Sequence, residues 1–300
     1  MAASHIDTRR EGAVGVITIN RPARFNALDV RTAQDFRRAG LLFARDRAVR
    51  AVIIAGLPGM FCSGADLKFI RDGGDPADLG YLMPGSAVAH GRADEPRRTG
   101  YGQVFKQILE YIHSTLSEVR RAPKPFIAAV DGMAAAGGFG IAMCCDLVFA
   151  STRATFEWAY AKTALTGAES ATFMLPKLVG LRRASELMLL NPRLSARDAR
   201  EYGLVTAVYD CERFDAEVMT IAQRLADGPT HSFAIAKELL NQAAGMDRLD
   251  AHLDRELDEL SRVADTPEFA EGLRAFFEKR TPDFASSDPH RLPSDEPRHA

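Results

Sequence analysis

Four short apolar runs, AVGVITIN (13–20), VRAVIIAG (49–56), PFIAAVDG (125–132) and DLVFAS (146–151), constrain this chain most. Each is rich in β-branched or small apolar residues, and three of them end on Asn or Gly, as buried strands do. Arg21 and Pro22 stop the first, and Asp29 is placed to cap a helix reaching about Arg45, with Val30, Ala33, Phe36, Ala39, Gly40 and Phe43 on one face. Strand, helix and strand within about 45 residues make a βαβ unit, which predicts parallel pairing and an α/β fold. A second helix is predicted over 101–121, ended by Pro123 and Pro125. After Ser170 the periodicity is almost wholly helical. Between these parts, 71–102 is rich in Gly, Pro, Asp and Arg and reads as a long mobile insertion. The polar, Pro-containing stretch 281–300 reads as a disordered tail.

The charge balance narrows the partners. Thirty-eight Lys and Arg against 40 Asp and Glu leave a net charge of −2, too little field to gather nucleic acid or an anionic membrane. The uncharged run 132–145 is roughly half Gly and Ala and shorter than the about 18 apolar residues a membrane span requires. The amino terminus lacks the apolar core of a secretory signal. Cys62, Cys144, Cys145 and Cys211 form no metal-ligand spacing, so reduced, packed thiols and a cytoplasmic location are expected.

Two loops follow strands and present small residues where backbone N–H groups would be free: MFCSGADLKFI (60–70) and DGMAAAGGFGIAMCCD (131–146). In the second, Gly137 and Gly138 permit close approach of a ligand to the backbone, and a helix begins at the same point. Such a site suits a developing negative charge. The same glycines could instead serve tight helix packing. GGFG is not the GxGxxG of a dinucleotide site.

With RPARFNALD, FCSGADLKF, PKPFIAAVDGMAAAGGFGIAMCCDLVFAS, LPKLVGLRRASELML, LSARDAREYGLVTAV and EGLRAFFEKRTPDF in order, the chain resembles the crotonase, or enoyl-CoA hydratase/isomerase, superfamily. The resemblance implies an α/β spiral of ββα units over 1–200 and a helical carboxyl-terminal trimerisation region over 201–280. It also implies an acyl-CoA thioester as substrate, coenzyme A being part of that substrate rather than a separate cofactor, and a homotrimer or homohexamer. By position, the N–H groups of Ala65 and Gly137 would be the oxyanion-hole donors. Asp66, Leu67 and Lys68 would line the coenzyme A pocket, Arg24 could approach its phosphates, and Lys279 could reach it from the last helix. Lys68 reads equally well as a solvated surface charge.

The two glutamates of the family's hydratases fall at Gly140 and Tyr160, so neither carboxylate is present. Tyr160 is left to line the pocket or to donate a hydrogen bond into it. In single-acid members the functional carboxylate falls at Ala168, and Glu169 stands one residue beyond it, either as the acid/base or as a helix-start charge. One carboxylate suffices to move a proton between two carbons, which favours isomerase-type chemistry. The alternatives are a hydratase with non-standard acid and base, an aryl-CoA hydrolase or dehalogenase-like enzyme, and a non-catalytic acyl-CoA binding protein. Glu157 is expected as a surface acid, His113 as a structural or exposed residue, Trp158 as a core or interface residue, and Ser63 as no part of a triad.

Overall fold

The computed structural model describes residues 4–74 and 100–287. A six-stranded sheet in the order β1-β2-β3-β4-β6-β9 forms the centre. Its strands are β1 (Ile6–Glu11), β2 (Val14–Ile19), β3 (Ala51–Ala55), β4 (Phe126–Val130), β6 (Leu147–Ser151) and β9 (Ala207–Tyr209). β1 and β2 are antiparallel and every later pairing is parallel. A three-stranded sheet, β5 (Met133–Ala135), β7 (Thr155–Glu157) and β8 (Arg193–Ser195), lies beside it. This mixed arrangement of successive strand and helix units has the α/β layering that the sequence predicts.

Strand alternation explains the two cores. Ile17, Ile19, Val52, Ile54, Ala128 and Val130 face one way, into the main core with the helices α1 (Val30–Arg45) and α3 (Tyr101–Arg121). Val14, Val16, Ile53, Ile127, Ala129 and Phe149 face the other, where Phe214, Val218, Ala222 and Ala226 of α7 (Phe214–Asp227) cover them. β4 is buried along its whole length because both faces are covered, so its sequence is a continuous apolar run. Asp29 caps α1 as expected, accepting from Thr32 N at 2.7 Å.

Two expectations are refined and one unannounced strand is added. The stretch after Ser170 is not wholly helical, since β8 and β9 each add three residues of strand and β9 extends the main sheet. The tail is ordered at its start: Asp283 N donates to Glu271 Oε1 at 3.0 Å and a short helix follows at Phe284–Ser287. β1, which the sequence did not announce, forms the sheet edge. Residues 75–99 of the proposed insertion and 288–300 of the tail lie outside the described residues. No helix among the described residues is long and apolar enough to cross a membrane.

The remaining helices are α2 (Leu67–Arg71), α4 (Gly137–Cys144), α5 (Ala171–Leu189), α6 (Ala196–Glu201), α8 (Thr230–Ala243), α9 (Leu249–Ala264), α10 (Pro267–Glu278) and α11 (Phe284–Ser287). α10 packs on the short helical turn Tyr160–Thr163 and brings Phe276 and Phe277 to the wall of a cavity of about 520 Å³.

Candidate active site

The cavity is lined by residues from both small-residue loops. The loop carrying Ala65 is stitched to the segment after β2: Leu28 N donates to Gly64 O at 2.8 Å, and Asp66 N donates to Leu28 O at 2.9 Å. These bonds bracket Ala65, whose own N–H has no protein acceptor among the described residues. Gly137 is the first residue of α4, so its N–H is one of the orphan donors of a helix start. The two loops touch, since a Cβ at Gly64 would lie 3.1 Å from Gly137 N. Ala136, between β5 and α4, has φ +46° and ψ −118°, a strained conformation for an alanine and of the kind that gathers at functional sites. Buried Asn26 ties the arrangement together. Its side chain accepts from Arg21 N at 2.8 Å and donates to Met60 O and Phe61 O at 2.9 and 3.1 Å. Sequence reasoning gave Asn26 no role, although an asparagine after RPARF suits the left-handed φ of +53° it adopts.

Asp66 lines the cavity but is occupied structurally. It caps α2 by accepting from Lys68 N and Phe69 N, and it binds the guanidinium groups of Arg21, at 2.7 Å, and Arg24. Burial pushes its carboxyl up, but Arg24, the Phe69 amide and Arg21 outweigh burial and hold it at about 2. The Arg24 fork, expected near phosphates, is therefore engaged with Asp66 at the cavity rim. Leu67 and exposed Lys68 follow on the same rim. Lys279 is not there. It is the left-handed C-cap of α10, exposed and outside the cavity wall, and its neighbours Phe276 and Phe277 line the wall instead.

Gly140 and Tyr160 both meet one side chain. Glu169 is buried in the cavity, 2% exposed, and Tyr160 Oη donates to its Oε2. Its other oxygen, Oε1, would lie 2.7 Å from a Cβ added at Gly137, placing the carboxylate against the second loop. A Cβ added at Gly140 would meet Glu169 O at 2.5 Å and Glu169 Cβ at 2.7 Å. The space that a side chain at 140 would need is thus filled by Glu169 itself. Burial pushes the Glu169 carboxyl up, the Tyr160 hydrogen bond pulls it back in part, and the nearby Glu256 charge adds to the rise, giving about 8. The Tyr160 phenol is pushed far up by burial and by Glu169. Trp158 is core as expected, packed 5.0 Å from the Tyr160 ring and over Gly167.

Glu157 is not a surface acid. It is 4% exposed and accepts from Arg193 Nε at 3.0 Å, Asn191 Nδ2 at 3.2 Å and Lys162 Nζ. It does point away from Phe156, but β8 pairs antiparallel with β7 and brings Arg193 over that face. His113 is buried, and its Nε2 accepts the backbone N–H of Glu169 at 3.1 Å. Cys62, Cys144 and Cys145 are buried free thiols, all pushed up by burial.

Two strand-end loops of small residues meet beside one buried carboxylate in a single cavity. The profile of the enoyl-CoA hydratase/isomerase family matches residues 9–81 and 100–287, and the chain belongs to that family. It is 29% identical to 4-chlorobenzoyl coenzyme A dehalogenase-2 of an Arthrobacter species over 276 residues, 92% of this chain and 91% of that one. It is also 29% identical to 1,2-epoxyphenylacetyl-CoA isomerase of Escherichia coli K12, covering 91% of this chain and 95% of the relative. Among solved structures, an enoyl-CoA hydratase from Mycobacterium avium subsp. paratuberculosis superposes with a TM-score of 0.78 at 32% identity. That match covers 94% of this chain and 99% of the other.

Proposed function

We propose that the protein isomerises an acyl-CoA thioester by proton transfer, with Glu169 as its single acid/base. The carrying observation is the placement of Glu169: Oε2 is held by Tyr160, Oε1 lies in the space that glycine at 137 leaves open, and its backbone and Cβ fill the space that glycine at 140 leaves open. In this reading the thioester oxygen lies between the N–H groups of Ala65 and Gly137. Glu169 removes a proton from one acyl carbon, the enolate charge moves to the oxygen, and the protonated Glu169 delivers the proton to a second carbon. Fixed backbone donors stabilise that charge without reorganising. A carboxyl raised toward neutrality can both take and return the proton. The step uses no cofactor beyond the coenzyme A carried by the substrate, whose phosphates would meet exposed Lys68 at the rim.

The test is exchange of acyl protons in deuterated buffer, followed by NMR over a panel of 2-enoyl- and 3-enoyl-CoA thioesters. Glu169→Gln is expected to lower the rate by about 10²–10⁴-fold, the usual contribution of a positioned acid/base. Unchanged exchange in that variant would refute the assignment. The aryl-CoA dehalogenase relative makes nucleophilic attack by the carboxylate the competing reading, and a covalent acyl or aryl ester trapped on Glu169 would favour it. The expected trimer or hexamer is part of the proposal. Leu181, Leu189 and Leu190 of α5 and Ile235, Leu239 and Leu240 of α8 are exposed, and α8 buries none of its residues within the chain. Light scattering on the eluted protein should give a mass of three or six chains; a monomer would refute it.

A further inference from the structure

Glu169 and Ser170 both have left-handed backbones, with φ of +52° and +66°. Two consecutive non-glycine residues in that region are unfavourable and persist only where the surroundings fix them. Ser170 precedes α5, yet its own side chain makes no cap bond. The amides of this turn are instead taken by buried side chains from two distant helices. His113 Nε2, on α3, accepts Glu169 N–H at 3.1 Å, and Glu256 Oε2, on α9, accepts Ser170 N–H at 2.9 Å. Glu256 Oε1 also accepts from Thr172 N at 3.1 Å and from Thr172 Oγ1. The two side chains are themselves adjacent, with His113 Nε2 3.8 Å from Glu256 Oε2.

Capping explains only part of this. The bonds to Ser170 and Thr172 satisfy the start of α5, but Glu169 precedes the cap and the helix does not need its amide bonded. We propose that His113 and Glu256 are positioning residues, which accept the amide protons of Glu169 and Ser170 and so hold the left-handed turn that aims the Glu169 carboxylate at the Gly137 loop. This rests on Glu169 being the acid/base. Because Nε2 is the acceptor, His113 must be neutral with its proton on Nδ1. Burial, which pushes the imidazole down to about 3, keeps it so across the neutral range.

Three variants separate aiming from packing. His113→Phe keeps the ring volume and loses the acceptor; His113→Gln keeps an acceptor at a similar reach and loses the ring. Misplacing a catalytic group by about 1 Å can cost 10²-fold, so His113→Phe should lower kcat by roughly 10–10²-fold with KM nearly unchanged, and His113→Gln should recover most of it. Glu256→Gln, which leaves one acceptor oxygen for three donors, should also lower kcat rather than raise KM. If Phe is tolerated as well as His, or if Gln is no better than Phe, position 113 acts by packing and the proposal fails. Nitrogen NMR of the unmodified protein with labelled histidine needs no substrate and stands apart from the proton-transfer reading. It should show His113 as the neutral Nδ1–H tautomer. Should the parent protein exchange no protons on the panel, the function reading fails alone and this spectrum decides; an Nε2-protonated ring would overturn the proposal.

Discussion

A single methyl group at position 140 should disable the enzyme while leaving it folded. The Cβ of Gly140→Ala would sit 2.5 Å from Glu169 O and 2.7 Å from Glu169 Cβ, where ordinary contact begins at 3.4 Å, so the turn must retreat by about 0.9 Å. The α4 side cannot yield instead, because Gly138 is already seated on the backbone of Cys62. Overpacking of this kind costs about 1–3 kcal/mol of stability. The functional loss is larger: a misplacement of about 1 Å at the reacting group can cost 10²-fold in rate. The assay is kcat/KM for acyl-proton exchange beside a thermal melt. The control is Gly15→Ala in β2, whose Cβ would meet the Phe43 ring at 2.8 Å, a comparable crowding remote from Glu169. Gly140→Ala should lose roughly 10²-fold in kcat/KM and the control should lose stability alone. Equal rates for both variants would refute the claim that position 140 is empty in order to admit Glu169.

Two further outcomes follow from the buried ionisable groups. Tyr160→Phe removes the hydrogen bond that holds Glu169 below the value burial alone would give; such bonds to a charge are worth about 1.5–3 kcal/mol. The acidic limb of kcat/KM against pH should therefore move up by about one unit, and an unmoved limb would mean that Glu169 is not the titrating base. Glu169 at about 8 and Glu256 at about 7 are raised above the ordinary 4.5, so their contribution to stability is complete below that value and is lost as pH rises through 7 and 8. His113, lowered from 6.5 to about 3, contributes fully above 6.5 and loses its contribution as pH falls toward 3. Melting temperature should thus decline from pH 5 to pH 8, and Glu169→Gln should flatten that decline; an equal slope in both proteins would contradict the burial of an ionisable group there.

What could be read in the sequence was local. Asp29 as a helix cap, the span 101–121 and the four buried strands depend on neighbours a few residues away, and the structure reproduces them. β1 could not be read in the same way, because its sequence IDTRRE exposes all but Ile6 and becomes a strand only by pairing with β2. Glu157 reads as a surface acid because the chain that covers its side of the strand arrives 36 residues later with Arg193. The candidate site divides likewise. The small-residue loops announce themselves, since backbone donors need only the absence of bulk. That Glu169 fills the vacancy at Gly140, 29 positions earlier, is a relation between two segments that no single stretch contains.

That relation also limits how such a site can change by mutation. The two-glutamate pattern implied by the resemblance needs a side chain at 140, and the present turn fills that same volume with Glu169. The two solutions exclude one another sterically, so a chain cannot acquire the second while it still holds the first. Any route between them passes through a glycine at 140 before the turn moves in. A return route must withdraw the turn before a carboxylate can be restored. The order of substitutions is fixed by volume, and a glutamate placed at 140 with the turn in its present position would overfill the cavity.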